Sequence, residues 1–172
     1  ELSYAETKSL IVETSEQIKY TPSTHVQTIL NMVDQLGVLQ GTCVDIGAFD
    51  GCNYSNTLPL FERGWDGLLV ECNPGRFTSL SHLYRAFKKT RLARTIVNPG
   101  NIVSLLQGFD IPVDFDFLSL DIDSYDYFVL EAILASFRPS IIVAEINEVI
   151  PPPIKFAVHY DPDFELSLEK RF

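Results

Sequence analysis

Short runs of apolar residues alternate with stretches of helical periodicity along most of this chain. The apolar runs predict five strands, at residues 42–46, 67–71, 92–97, 116–121 and 139–146. Between the strands, apolar residues recur every three or four positions, as at Phe77, Leu80, Leu83 and Phe87. Apolar strands that alternate with helices are typical of a mostly parallel sheet with helices on both faces. The pattern therefore predicts an α/β fold built on a mostly parallel sheet.

The helices are predicted from their apolar faces and from residues that start or stop helices. Pro74 is predicted to lie in the first turn of a helix that follows Asn73. Gly37 is predicted to end one other helix, and Gly64 is predicted to end another that starts at 53–55. No composition shift or repeat divides the chain, so we predict a single domain over residues 1–172. It comprises a helical arm at 1–40, a core at 41–150 and an extended tail at 151–172, in which residues 154–160 are read as a sixth strand or a loop.

Composition excludes several classes of protein. Hydrophobic residues make up 46% of the chain, which indicates a globular domain. A formal net charge of −10 argues against broad nucleic-acid binding, and no apolar run approaches the ~20 residues of a membrane segment. The three cysteines show no C-x-x-C spacing, which argues against a zinc site or a disulfide scaffold and favours a reducing compartment such as the cytoplasm.

Acidic and polar residues follow the predicted strands at the points where the strands end. Because ligands of parallel sheets bind beyond the carboxyl ends of the strands, these side chains are expected to line one rim. The rim residues are Asp45, Asp50, Glu71, Asp121, Asp123, Glu145 and Asn147.

The glycine spacing after the first strand bears on the ligand. A dinucleotide site uses G-x-G-x-x-G, but here Gly47 is followed by Phe49 and Cys52 where the other two glycines would fall. Asp50 would also repel a pyrophosphate. S-adenosylmethionine has no phosphate and carries a sulfonium and an ammonium. Asp45 could hold its ammonium side, Gly47 and Gly51 would admit its backbone, and Glu71 would accept its ribose hydroxyls.

Four segments together resemble the FkbM-type S-adenosylmethionine-dependent methyltransferases. They are VDIGAFDG at 44–51, GWDGLLVECNP at 64–74, DFLSLDIDSYDY at 116–127 and VAEIN at 143–147. The resemblance implies a Rossmann-like class I methyltransferase fold and methyl transfer, usually to oxygen. Two departures are Ser124, where glycine is common, and Cys72, where proline is common. Cofactor contacts are assigned to Asp45, Gly47, Ala48, Asp50, Gly51, Glu71, Cys72, Asn73 and Asp121.

A methyltransferase sheet of this kind usually has two more strands after the fifth, and at most one is visible here. We therefore expect the sheet to be truncated in this chain and the natural protein to continue beyond Phe172.

The acceptor side is predicted around the fourth and fifth strand ends. Asp123 and His159 are the candidate catalytic residues, and the acceptor is expected to be a small or glycan-like molecule. A second interpretation is a magnesium site formed by Asp121, Asp123, Glu145 and Asn147, because magnesium prefers oxygen ligands. A third interpretation is purely structural: Asp123 or Ser124 caps the helix beginning near Tyr125.

Two other functions fit the sequence less well. One is a metal-dependent nucleotide-sugar transferase in which Asp121 and Asp123 form a D-x-D site. The other is a non-catalytic binding module that retains a methyltransferase fold.

Overall fold

A computed structural model describes residues 25–146, 153–154 and 156–161 of the chain. Five strands, β1 to β5, alternate with five helices, α1 to α5. The strands are β1 Thr42–Ile46, β2 Asp66–Val70, β3 Thr90–Ala93, β4 Phe117–Leu120 and β5 Ile141–Ala144. The helices are α1 Val26–Gln35, α2 Leu58–Glu62, α3 Pro74–Tyr84, α4 Ile102–Gly108 and α5 Asp126–Leu134.

The five strands form one parallel sheet in the order β3-β2-β1-β4-β5. The chain builds outward from β1 to β3 and then returns to place β4 on the other side of β1. The strands also end level with one another, because the register pairs Ile46 with both Val70 and Leu120, and pairs these in turn with Ala93 and Ala144. The residues that follow them therefore begin at one edge of the sheet.

Helices cover both faces of this sheet, as the apolar pattern predicts. Alternate residues of β1 point to opposite faces, so Cys43 packs in one apolar core and Val44 in the other. The first core contains residues of α1, α2 and α3, and the second contains residues of α4 and α5. The result is a three-layer α/β/α arrangement with the sheet between two buried cores.

Several element boundaries differ from the sequence-based predictions. The third strand, expected at 92–97, lies at Thr90–Ala93, because β2 ends at Val70, the partner of Ala93. Ile96 is consequently 73% exposed. The helix expected to start at 53–55 begins at Leu58, since a turn capped by Asp50 occupies the preceding residues.

The tail is described only in part. Residues 153–154 and 156–161 form no strand, which favours the loop interpretation of this segment for those residues. The predicted arm before His25 lies outside the described residues, and so does Asn147. Within the described ranges, no helix is long and apolar enough to cross a membrane.

Candidate functional site

The order of the strands in the sheet reverses between β1 and β4. We call the region beyond the carboxyl ends of these two strands and their neighbours the crevice. Gly47 follows β1 with φ at +88°, and a Cβ atom added there would lie 1.7 Å from the carbonyl oxygen of Asp121. The backbone N–H of Asp121 in turn donates to the Ile46 carbonyl at 2.9 Å. Gly47 therefore allows the loops after β1 and β4 to touch. This point of reversal is where open α/β sheets bind ligands.

Glu71 follows β2 directly and is buried, with 4% of its surface exposed. Its Oε2 accepts a hydrogen bond from the backbone N–H of Phe49 at 3.0 Å. Its Oε1 accepts one from the N–H of Asn73 at 2.7 Å. The two bonds fix the carboxylate, yet each oxygen keeps a further lone pair that can accept a hydroxyl. Glu71 is thus held in one orientation while both of its oxygens can still accept a hydrogen bond.

The segment Gly47–Gly51, which we call the cofactor loop, is held from several sides. The N–H groups of Gly47 and Ala48 both donate to the Val70 carbonyl, at 2.9 and 3.0 Å. Phe49 has a left-handed φ of 54°, which is uncommon for a residue with a side chain. The guanidinium of Arg76 lies 4.2 Å from the centre of the Phe49 ring. This cation–π contact and the bond to Glu71 stabilise the conformation of Phe49.

Asp50 and Gly51 complete the loop through contacts within the protein. Asp50 Oδ1 accepts the N–H groups of Cys52 and Asn53 at 2.9 and 2.8 Å. Gly51 has φ at +77°, and a Cβ atom there would lie 2.5 Å from both Leu80 and Tyr84 of α3. The contact that Gly51 permits is therefore a packing contact with α3. These observations give both residues a structural role beside the cofactor role assigned from the sequence.

Asn73 and Cys72 follow Glu71 at the start of α3. Asn73 Oδ1 accepts the N–H groups of Gly75 and Arg76 at 2.9 and 3.1 Å, so Asn73 caps the helix and Pro74 stands in its first turn, as predicted. The Cys72 thiol is exposed at the rim. Its pKa is raised, first by partial burial and then by neighbouring Glu71, which keeps the thiol protonated near neutral pH.

Asp45 lies inside β1 and is only 5% exposed. Its Oδ2 accepts a hydrogen bond of 2.5 Å from the Thr57 hydroxyl. Burial raises the pKa of this carboxyl to about 6, although hydrogen bonds from Thr57 and Ser119 oppose the shift. Sequence reasoning assigned Asp45 to the cofactor ammonium but did not identify Thr57. The hydroxyl residues after the cofactor loop, at Ser55 and Thr57, were its only signal.

Three of the four predicted metal ligands come together at the other side of the crevice. One oxygen from each of Asp121, Asp123 and Glu145 can be chosen so that all three lie within 4.8 Å of one another. Burial raises the pKa of Glu145, and Asp121, Asp123 and Asp126 raise it further. Oxygen donors of this kind suit magnesium or calcium. We call these three residues the acidic trio.

Tyr125 is the N-cap residue of α5, and its side chain makes no capping hydrogen bond. Asp126, in the first turn of the helix, accepts the N–H groups of Ile122 and Ser124 in the preceding loop, at 2.9 and 3.1 Å. Asp123 itself adopts a left-handed φ of 57° and is exposed. Asp123 and Ser124 are therefore not the N-cap residue of α5, because the helix begins after Tyr125, and Asp126 orders the preceding loop instead.

The tail returns to the start of α5. The Tyr160 ring lies 5.0 Å from the ring of Tyr125 and 5.4 Å from that of Phe128. The Tyr125 hydroxyl donates to the Asp161 carbonyl at 3.1 Å. His159, the predicted proton acceptor, is exposed and precedes Tyr160 in the chain. The tail therefore approaches the loop that carries Asp123, on the acidic-trio side of the crevice.

Several solved structures share the fold of this chain at low sequence identity. A protein of Klebsiella pneumoniae assigned as an O-methyltransferase is 14% identical, with a TM-score of 0.55 over 80% of this chain and 64% of that chain. The O-methyltransferase TomG of Streptomyces achromogenes, solved with SAM, is 19% identical, with a TM-score of 0.52 over 81% of this chain and 64% of that chain. The precorrin 8w decarboxylase of Methanobacterium thermoautotrophicum is 15% identical, with a TM-score of 0.52 over 76% of this chain and 68% of that chain.

These similarities define the fold as the Rossmann-like class I methyltransferase fold, which confirms the fold prediction. The chain spans 64% of the length of the Klebsiella and Streptomyces proteins. No family model matches the chain, and no curated protein sequence matches it significantly. The FkbM resemblance therefore stays a prediction.

Proposed function

We propose that this chain is an S-adenosylmethionine-dependent methyltransferase domain. The observation that carries the proposal is Glu71, a buried carboxylate that two backbone N–H groups orient at the end of β2, beside the cofactor loop. A carboxylate at this position grips the ribose of a bound nucleoside. The fold supports the same conclusion, since the related structures include an O-methyltransferase solved with SAM.

The residues of the crevice suit a cofactor that is cationic and lacks a pyrophosphate. The acids Asp50, Glu71 and Asp121 follow the first, second and fourth strands, and a pyrophosphate would meet their repulsion. Glu71 would hold the ribose. The backbone of the two loops that meet at Gly47 and Asp121 would face the methionine portion. When bound, S-adenosylmethionine supplies a methyl group activated by its sulfonium.

We propose that the acceptor binds on the side of the acidic trio and that it is a small molecule with a hydroxyl group. That hydroxyl must lose a proton as the oxygen gains the methyl group. Asp123 and His159 are the candidate proton acceptors, and neither need be a strong base because orientation supplies much of the rate of such a transfer. The donor set of the trio also fits magnesium, which would be held by Asp121, Asp123 and Glu145 and would acidify the hydroxyl.

A metal-dependent nucleotide-sugar transferase is the second candidate, and the clustering of the trio is the observation that favours it. The cofactor loop argues against it. Phe49 and Cys52 replace the glycines of a phosphate-binding loop, and Asp50 is a carboxylate where a phosphate would lie.

Native mass spectrometry of the purified protein with added S-adenosylmethionine tests the proposal. We expect one cofactor per chain, and we expect S-adenosylhomocysteine to displace it. Glu71→Ala should abolish the bound species, while Glu131→Ala, the same change at an exposed position of α5, should retain it. Absence of the bound species in the unmodified protein would refute the proposed cofactor.

A further inference from the structure

Buried polar side chains form a connected network beneath the cofactor loop. They come from four different elements: Asp45 from β1, Ser119 from β4, Tyr84 from α3, and Ser55 and Thr57 from the turn that starts α2. All five are buried, and Thr57 has no exposed surface. A buried polar cluster is costly unless its members are hydrogen-bonded to one another.

Thr57 is the centre of this network. Its hydroxyl donates to Asp45 Oδ2 at 2.5 Å and lies 3.4 Å from the hydroxyl of Ser55. Ser55 Oγ in turn accepts the backbone N–H groups of Thr57 and Leu58, at 3.2 and 3.0 Å. Asp45 therefore fixes Thr57, and Ser55 connects Thr57 to the first turn of α2.

Tyr84 connects the network to the cofactor loop itself. Its hydroxyl donates to the carbonyl of Gly51 at 3.1 Å, and its ring packs against the Cα side of Gly51. Burial raises the pKa of Tyr84 well above its ordinary value, the nearby Asp45 raises it further, and the neighbouring hydroxyls of Ser55 and Thr57 lower it. Tyr84 therefore lies beside these groups and holds the end of the cofactor loop through Gly51.

We propose that Asp45 is a positioning residue, which acts on the cofactor through Thr57, Tyr84 and the cofactor loop rather than by touching the cofactor. This inference rests on the proposed function and changes the role that the sequence suggested for Asp45. The nearly complete burial of Asp45 and the short bond from Thr57 support it. The network would hold Gly51 at the end of the cofactor loop through Tyr84, while Glu71 holds Phe49 in the middle of the loop.

Three variants separate positioning from direct contact. Thr57→Val has nearly the shape of threonine but cannot donate to Asp45, and Thr57→Ser keeps the hydroxyl. If Asp45 acts through Thr57, calorimetry should show S-adenosylmethionine bound about tenfold more weakly by Thr57→Val and by Asp45→Asn, with a less than additive loss in the double variant. Thr57→Ser should bind close to the unmodified protein. Thr78→Val, which removes an exposed hydroxyl of α3, is the matched control.

A second measurement in the ligand-free protein keeps this test independent of the cofactor. Amide hydrogen exchange over residues 47–53 should be faster in Thr57→Val and in Tyr84→Phe than in the unmodified protein or Thr78→Val. Unchanged exchange rates in both variants would refute the claim that the network stabilises the cofactor loop. Weaker cofactor binding in Asp45→Asn but not in Thr57→Val would show direct contact by Asp45. Failure of the unmodified protein to bind would instead refute the proposed function.

Discussion

The two sides of the crevice use carboxylates in opposite ways. On the side of β1 and β2, Asp45 and Glu71 are buried, and each accepts hydrogen bonds from defined donors. On the side of β4 and β5, the acidic trio of Asp121, Asp123 and Glu145 is exposed and clustered. Carboxylates at the ends of neighbouring strands thus form two different regions. In one their hydrogen bonds are made within the protein, and in the other their negative charges face one another.

This difference suggests a division of labour between the two sides. Buried carboxylates held by N–H and O–H donors cannot reorganise easily, so they suit a ligand whose position must be fixed. Exposed carboxylates that repel one another gain stability from a cation or from a ligand that donates hydrogen bonds. We therefore expect substitutions on the first side to have the larger effects on stability and cofactor binding.

Gly47→Ala should have the largest effect, because it disrupts the point where the two sides meet. The new Cβ would overlap the Asp121 carbonyl, and φ at +88° is unfavourable for alanine. We expect the free energy of unfolding in urea to fall by about 3 kcal/mol. Gly108→Ala is the matched control, since a Cβ atom added at this last residue of α4 would meet no heavy atom of the surrounding protein within 4 Å, and it should be neutral or slightly stabilising. Equal stability of the two variants would contradict the role given to Gly47.

Glu71→Gln should weaken binding of S-adenosylmethionine by about tenfold to a hundredfold. The amide offers one acceptor oxygen where the carboxylate uses both, so the N–H of Phe49 or of Asn73 loses its partner. Calorimetric titration measures the change, and Glu131→Gln on α5 serves as the control. An unchanged dissociation constant in Glu71→Gln would remove Glu71 from the cofactor site.

Asp45 should make the protein less stable as the pH rises. Its pKa is raised in the folded state from 3.8 to about 6, mainly by burial, so the unfolded chain releases this proton at lower pH than the folded chain does. The stabilising contribution is complete below about pH 4 and is lost as the pH passes through 6, a difference of up to about 3 kcal/mol. Urea unfolding between these limits should show the slope in the unmodified protein and a smaller one in Asp45→Asn. Parallel slopes would show that Asp45 keeps an ordinary pKa.

Magnesium should give the smallest effect, because it acts on the exposed side. If the acidic trio binds the ion, a concentration about ten times the dissociation constant stabilises the protein by about 1.4 kcal/mol, or a rise in Tm of about 3 °C. Asp123→Asn and Glu145→Gln should abolish the rise, whereas Asp114→Asn, outside the trio, should not. A rise that potassium chloride of equal ionic strength reproduces would exclude a specific site.

Much of this fold was predictable because its signals are local. The apolar runs of β1, β2, β4 and β5 and the Asn73-Pro74 helix start lie where the sequence indicates. The clustering of Asp121, Asp123 and Glu145 follows from strands that end level, as expected from their positions after the strands, while their binding of a metal stays a prediction.

Other features depend on contacts between distant parts of the chain. The sequence gives no sign that Thr57 donates to Asp45 twelve residues earlier, or that Tyr84 reaches Gly51. Gly47 and Gly51 were predicted to admit a ligand, and the structure shows that each also admits a neighbouring part of the protein. The end of β3 was misplaced because the pairing with β2, rather than the apolar content of 92–97, determines where the strand stops.

A calorimetric comparison of three ligands tests the central claim most directly. The unmodified protein would be titrated with S-adenosylmethionine, with a nicotinamide dinucleotide, and with a nucleotide-sugar in the presence of manganese. The account predicts binding of one S-adenosylmethionine per chain and no binding of the two phosphate-containing ligands. Tighter binding of the dinucleotide or of the nucleotide-sugar than of S-adenosylmethionine would contradict it.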